Sequence, residues 1–249
     1  PNLDIDFVVE GDGLSFASLL AEALQAKAQF HPQFGTANLI TNEGLNLDVV
    51  TARTEYYEYP ASLPRVESSS LKQDLYRRDF TINAMAIELD ANEFANLKDF
   101  YGGYRDLQQG EIRILHNLSF VDDPTRILRA IRFQQRFNFR IEGQTSQMLK
   151  NAVKDRLLDK LSRDRLKDEI VLILQEPRAD KILQRLVALG AWEQALPGLP
   201  SDNIESRLDG VESAIAFLEG IGLWPKGNLW QVKLLAFFSG LDPCAAEKI

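Results

Sequence analysis

The sequence predicts a mixed α/β head up to about residue 115, followed by an all-helical region. Three observations point there. Short runs before residue 51 alternate apolar and polar residues with the period of two that suits a strand, from Val121 onward apolar positions recur at helical spacing, and the Gly102-Gly103 turn closes the first regime.

Leu3, Ile5 and Phe7 alternate with Asp4, Asp6 and Val8, which describes a strand with one apolar face and one that presents carboxylates. Gly11-Asp12-Gly13 then turns the chain. Leu14, Ala17, Leu19, Leu20, Ala23 and Leu24 fall at helical spacing, so a helix is expected from Leu14 to Lys27. Strands are expected again from Thr36 to Thr41 and from Leu45 to Thr51, joined by Asn42-Glu43-Gly44. Glu55 to Ser70, with Pro60 and Pro64, keeps no period and reads as a long loop, and such loops are more often functional than idle. A helix that includes Ala84 and Met85, and a strand from Ala86 to Leu89, complete the head. The helical region breaks near Gly143, Pro177, Gly190 and Pro197 to Pro200.

A chain of 249 residues with 45% hydrophobic composition buries a real core, as one large domain or two modest ones. Cys244 is the single cysteine, so no internal disulfide is expected and a reducing cytoplasm is the simplest home. No apolar run approaches the roughly 20 residues that span a bilayer. The chain starts at Pro1 and enters a strand almost at once, which reads as a fragment with residues absent at both ends. A net charge of −8 argues against coating nucleic acid through bulk electrostatics. Local charge says more, because Arg126, Arg129, Arg132, Arg136, Arg140 and a further run of Lys and Arg to Lys167 form a basic stretch able to hold a phosphate-bearing ligand.

Asp4 and Asp6, one residue apart on a strand, point to the same side. Hard oxygen ligands so placed suit Mg²⁺, although Asp-x-Asp is equally common on a merely solvated strand face. Asp48 adds a third carboxylate, mid-strand among β-branched and apolar neighbours where aspartate is unfavourable. It shares a cation with Asp4 and Asp6, or it lies on the wet face of an edge strand. Arg77-Arg78-Asp79 before a helical start puts guanidinium groups that fork onto phosphate beside a carboxylate that accepts from a ribose hydroxyl; a surface ion pair with a helix cap explains the same residues.

Here a resemblance becomes specific. Arg77-Arg78-Asp79-Phe80-Thr81-Ile82-Asn83-Ala84 resembles the RRDFTxNA motif of the class II tRNA nucleotidyltransferases and bacterial poly(A) polymerases. Leu3 to Gly11 resembles that family's metal-binding Asp-x-Asp strand, Asp48 to Glu55 the strand of its third carboxylate, and Asp99 to Leu107 with Ile112-Arg113 its head-to-neck connector. Asp122-Asp123-Pro124-Thr125-Arg126 with Arg129 is similar to its neck helix, which reads the incoming base with amino acids in place of a template. On that helix Asp123 would accept from an exocyclic amine and Arg126 would donate one turn on, while Asp123-Pro124 is also a good helix start. Leu161 to Glu169 resembles a later neck motif, with Arg165 and Glu169 bracing the Arg126 helix.

The resemblance implies a polymerase-β-like nucleotidyltransferase head with a mixed sheet over 1–115, a helical neck over 116–175 and a helical body over 176–249. It also implies Mg²⁺ on Asp4, Asp6 and Asp48, and nucleotide binding by Arg78, Asp79, Asn83, Asp122, Asp123, Arg126 and Arg129. The implied reaction is transfer of CMP or AMP from CTP or ATP to a tRNA 3′ end, without membrane association. The segment Tyr56 to Pro64 is kept at full length where the family's flexible loop helps the switch to ATP, which favours a protein able to add A. Poly(A) synthesis and a non-catalytic RNA-binding relative are the alternatives. The chain departs from the family in starting after its glycine-rich triphosphate cradle, in ending within its body, and in carrying Asp122 where many relatives have Glu.

Other chemistries find little support. Gly11-Asp12-Gly13 lacks the third glycine of a dinucleotide fingerprint, Phe16 standing there instead, and no P-loop occurs. His31 and His116 with one cysteine do not make an ordinary zinc site. Trp192, Trp224 and Trp230 read as helix-packing residues.

Overall fold

The computed structural model describes residues 4–56, 58, 59, 62, 65–221 and 229–238. The chain divides into two compact units, Pro1–Glu58 with Ser62–Tyr104, and Tyr59–Ala61 with Arg105–Ile249.

The first unit is built on a four-stranded mixed sheet. Its strands are β1 (Asp4–Val9), β2 (Lys27–His31), β3 (Thr36–Ile40) and β4 (Asn46–Thr51), with α1 (Gly13–Leu24) between the first two. The spatial order is β1-β4-β3-β2, with β1 parallel to β4 and the other pairs antiparallel. Alternation explains why one face closes: Ala37 and Leu39 of β3 and Leu47 and Val49 of β4 are buried with Ala17 of α1, and Phe7, Val9, Leu14 and Leu20 pack on them. Asp12 caps α1, its Oδ1 accepting from the N–H of Ser15 at 3.0 Å.

Beyond the sheet, β5 (Arg53–Tyr56) and β6 (Arg65–Ser68) pair as an antiparallel ribbon. The short helix α2 (Leu71–Tyr76), capped by Ser70, follows, then a 3-10 turn at Thr81–Asn83. A small antiparallel pair, β7 (Ala86–Ile87) and β8 (Leu97–Lys98), precedes α3 (Gly103–Gln109).

In the second unit β9 (Glu111–Ile112) runs parallel to β10 (Arg140–Ile141). The rest is helical: α4 (Ser119–Asp122), α5 (Thr125–Arg136), α6 (Gly143–Lys154), α7 (Arg163–Gln175), α8 (Ala179–Leu189), α9 (Trp192–Ala195), α10 (Ile204–Gly220) and α11 (Leu229–Phe238). The i, i+3, i+4 pattern of α5 buries Ile127, Leu128, Ala130 and Ile131, while α8 buries Ile182, Leu183 and Leu186. Trp192 packs inside, its ring 5.7 Å from that of Phe237 and its Nε1 donating to the Leu199 carbonyl at 2.8 Å. Among the described residues no helix is long and apolar enough to cross a membrane.

The mixed-sheet head and helical remainder match the expected fold class, and several local expectations are corrected. The first helix stops at Leu24, and Lys27 opens the strand β2. This strand hides from a periodicity test because four of its five residues are exposed, as at a sheet edge. The expected loop from Glu55 to Ser70 contains a ribbon held by backbone pairing between the half-buried β5 and the exposed β6. The segment near Ala84 is a 3-10 turn, and the strand from Ala86 ends at Ile87. Asp48 lies on β4, which has a partner on each side, so the edge-strand reading fails. Trp224 and the centre of the Tyr56 to Pro64 segment fall outside the described residues.

Gly103 shows where a missing side chain shapes the head. A Cβ there would lie 2.1 Å from the Thr81 carbonyl oxygen and 2.9 Å from Met85 Cγ, whereas one at Gly143, the first residue of α6, would meet nothing within 4 Å. Gly103→Ala is therefore expected to destabilise the protein by about 2 kcal/mol or more through forced backbone movement, and Gly143→Ala to be neutral or slightly stabilising. Urea unfolding of both variants checks this, and equal midpoints would remove the close-approach argument.

Candidate functional site

The parallel register of β1 and β4 sets Asp6 beside Asp48. Leu47 and Val49 face the core, so Asp48 takes the opposite face, where it is half-buried, and Asp6 next to it is exposed. Position 4 shares that face through the strand period and pairs with Asn46; the side chain of Asp4 lies outside the described ones. On the other flank Asn38 of β3 pairs with Asp48 and donates from Nδ2 to its Oδ1 at 2.8 Å. Asn38 was missed in the sequence; its signal was an amide at the outward position of a strand predicted beside that of Asp48. Among the described residues no group of three His, Cys, Asp or Glu is placed to hold a metal ion. Asp6 and Asp48 nevertheless offer a hard donor set, and the Asn38 bond engages just one oxygen of Asp48.

The Arg77-Arg78-Asp79 segment divides its labour. Arg77 is a structural clamp: its Nη2 lies 2.8 Å from Asp74 Oδ1 on α2, and its Nη1 lies 2.7 Å from Glu55 Oε1 on β5. Asp74 is fully buried and also accepts from the Arg53 backbone N–H at 3.3 Å. Asp79, which is buried as well, accepts on Oδ1 from the Phe80 N–H at 2.8 Å and from Asn83 Nδ2 at 3.0 Å, bracing the 81–83 turn from both ends. Arg78 differs from Arg77. Its Nη2 stands 3.6 Å from Asp74 Oδ2, the side chain is partly exposed, and its buried Nε has no hydrogen-bond partner among the described residues.

In the second unit Asp123 joins α4 to α5. Its Oδ1 accepts from the Thr125 N–H at 3.0 Å, from Thr125 Oγ1 at 2.6 Å and from Arg165 Nη2 of α7 at 2.6 Å. Asp123 thus braces the start of α5 from the position just before its N-cap, Pro124. Arg126 is buried, with Nη1 donating to Ser119 Oγ at 2.7 Å. Arg129 reaches Glu169 Oε1 at 3.5 Å and lies 5.3 Å from the Phe133 ring centroid. Glu169 also meets Arg132 at 3.4 Å, so α7 braces α5 through both Arg165 and Glu169.

His116 and Asp122 complete this cluster, with Nδ1 3.9 Å from Oδ2. Burial, reinforced by the Arg126 guanidinium, pushes the imidazole down to about 4. Burial also raises the Asp122 carboxyl, with Arg126 opposing and Asp123 adding to the rise. His116 is therefore neutral at pH 7.

Two family models match the chain: "Poly A polymerase head domain" over residues 1–113, and "Probable RNA and SrmB- binding site of polymerase A" over residues 138–202. The A-adding tRNA nucleotidyltransferase of Geobacter sulfurreducens is 48% identical over 241 residues, 96% of this chain and 27% of the relative. Among solved structures, a CCA-adding enzyme in its apo form II superimposes with a TM-score of 0.89 at 42% identity, covering 100% of this chain and 58% of that one. A tRNA nucleotidyltransferase complexed with a primer tRNA and an incoming ATP analog gives 0.82 at 36% identity, covering 99% and 70%. The chain thus spans about a quarter of the curated relative it matches.

Between pH 6.5 and about 4 the unfolded chain binds a proton at residue 116 that the folded one refuses, so His116 makes stability fall as pH drops through that window. The raised Asp122 acts in the opposite sense, adding stability at low pH that is lost as pH rises through its folded value. His116→Gln is expected to flatten the acid side of a plot of urea midpoint against pH, removing up to about 3 kcal/mol of dependence. Parallel plots for variant and wild type would refute the half-buried neutral imidazole.

Proposed function

The chain belongs to the family of class II tRNA nucleotidyltransferases and bacterial poly(A) polymerases, and we propose that the whole protein extends tRNA 3′ ends with CMP or AMP taken from CTP or ATP, without a template. The observation that carries this reading is the side-by-side register of Asp6 and Asp48 on the open face of the sheet. In the reaction the 3′-hydroxyl oxygen bonds to the α-phosphorus, the bond from that phosphorus to the α,β-bridging oxygen breaks, and pyrophosphate leaves with the electron pair. The hydroxyl proton passes to solvent.

Asp4, Asp6 and Asp48 are the residues that would hold Mg²⁺. When bound, the ion supplies charge neutralisation at the triphosphate and favours attack by the hydroxyl. Arg78, with its unpartnered buried Nε, takes a sugar or phosphate oxygen, and Asp79 and Asn83, joined by a hydrogen bond, complete the nucleotide-binding set. Asp123, oriented through Oδ1, accepts from the exocyclic amine of the base with Oδ2. Arg126 donates to the ring edge, and Asp122 and Arg129 flank the pair in sequence.

On this reading residues 1–115 are the head, 116–175 the neck and 176–249 the body. The setting is the cytoplasm, where tRNA and nucleoside triphosphates meet. Addition of A is favoured over addition of CC alone by the retained Tyr56 to Pro64 segment and by the A-adding name of the Geobacter relative.

The test uses the full-length protein, Mg²⁺, tRNAs ending before CCA or in CC, and each labelled nucleotide. A single AMP on the CC end is expected, a long A tail would replace this reading with poly(A) synthesis, and no incorporation from either nucleotide would sink it. Asp6→Asn and Asp48→Asn are each expected to lower kcat at least ~100-fold. Thermal stability should hold or rise slightly, because adjacent like charges on neighbouring strands repel.

A further inference from the structure

The head carries an aromatic cluster that none of these roles uses. Tyr101 is half-buried, and its hydroxyl donates to the Lys72 carbonyl at 2.7 Å, which pins the ring. Tyr76, the last residue of α2, leans on it at 5.6 Å between ring centroids and 42°, and Phe100 meets it edge-on at 6.3 Å and 65°. The Lys72 ammonium sits 6.0 Å from the centroid of Phe100. Tyr76 and Phe100 are nonetheless 40% and 45% exposed. The backbone beneath is held too, because Asp99 accepts from the Gly103 N–H at 2.8 Å and the Tyr104 N–H at 3.0 Å.

Two exposed rings fixed against a pinned third bind a flat π-face with little loss of side-chain freedom. Charge selects the partner. Lys72 is exposed at the rim and Arg78 follows Tyr76 by two residues, whereas Asp74 is fully buried under Arg77 and Asp99 is turned to backbone N–H groups. Aromatic faces with cations outward and carboxylates masked match a polyanion with exposed bases better than a protein surface. The geometry points to this cluster, Tyr76, Phe100 and Tyr101 with Lys72, as a platform on which the unpaired 3′-terminal bases of an RNA acceptor stack, Lys72 meeting a phosphate. This assignment rests on the reaction proposed above for the same head.

The test is a binding measurement independent of nucleotide incorporation. A tRNA acceptor mimic with 2-aminopurine at its last unpaired position is titrated with the full-length protein, without nucleoside triphosphate. Wild type is expected to quench the fluorescence on binding. Tyr76→Leu with Phe100→Leu, which keeps apolar bulk and lacks the π-faces, should lose the quenching and weaken binding about 5- to 100-fold. Tyr76→Phe with Phe100→Tyr should retain both, and Lys72→Met should lower the slope of log affinity against log salt by about one. Quenching and affinity unchanged in the leucine pair would overturn the platform even if the protein incorporates AMP. Loss of quenching in that pair supports the platform even where incorporation fails, so the two readings fall separately.

Discussion

Two carboxylates held abreast on neighbouring strands are the constraint around which the head is organised. Asp6 and Asp48 occupy paired positions of β1 and β4 and repel each other. What keeps them there is the opposite face. Leu47 and Val49 are locked against Ala17, Ala37 and Leu39, and a one-residue slip of β4 would drive Asp48 into that core and expel both apolar neighbours. Burial on one side of the sheet therefore enforces an acidic surface on the other. Asn38 reinforces it from β3 with a neutral donor, so the third strand adds no further negative charge at that position.

The arginines obey a related constraint. The basic stretch from Arg126 to Lys167 looks in sequence like a phosphate-binding surface, yet much of it is matched internally. Arg132 meets Glu169 and Glu176, Arg136 meets Glu176, Arg140 meets Glu111, Arg156 meets Asp159, and Arg165 meets Asp123. Arg113 joins buried Asp106 to Glu111 and Glu142 in the same way. Where a guanidinium fork binds more than one partner, as at Arg132 and Arg113, it ties elements together and gives up part of the charge that the count of basic residues suggests.

How much was legible follows from the same physics. β1, β3 and β4 were readable because each buries one face, and their alternation places Asp48 on the correct side. The edge strand β2, four of whose five residues are exposed, and the ribbon of β5 and β6, with β6 wholly exposed, bury too little to leave a period. The six-residue α2 is too short to show one at all. At the candidate site, residue types were readable and partners were not. Arg77 and Arg78 are adjacent and alike, but only the fold shows that one clamps Asp74 and Glu55 while the other keeps an unpaired nitrogen. In the sequence His116 serves only to argue against a zinc site; its depressed basicity comes from burial and from Arg126, neither visible in the chain.

On the proposed reading, Asp123 combines bracing of the start of α5 with recognition of the base on one side chain. A carboxylate that must accept from an amine and refuse a carbonyl discriminates best when it cannot rotate to find another partner. Three donors from Thr125 and Arg165 converge on its Oδ1, so turning the group away would break all three at a cost of roughly 1 kcal/mol or more each. A freely rotating aspartate would give up rotamer entropy on meeting each base; this one has given it up during folding. On that reading the bracing prepares the residue for recognition, and α7, which supplies Arg165, would contribute to the choice of base by holding the carboxylate that makes it.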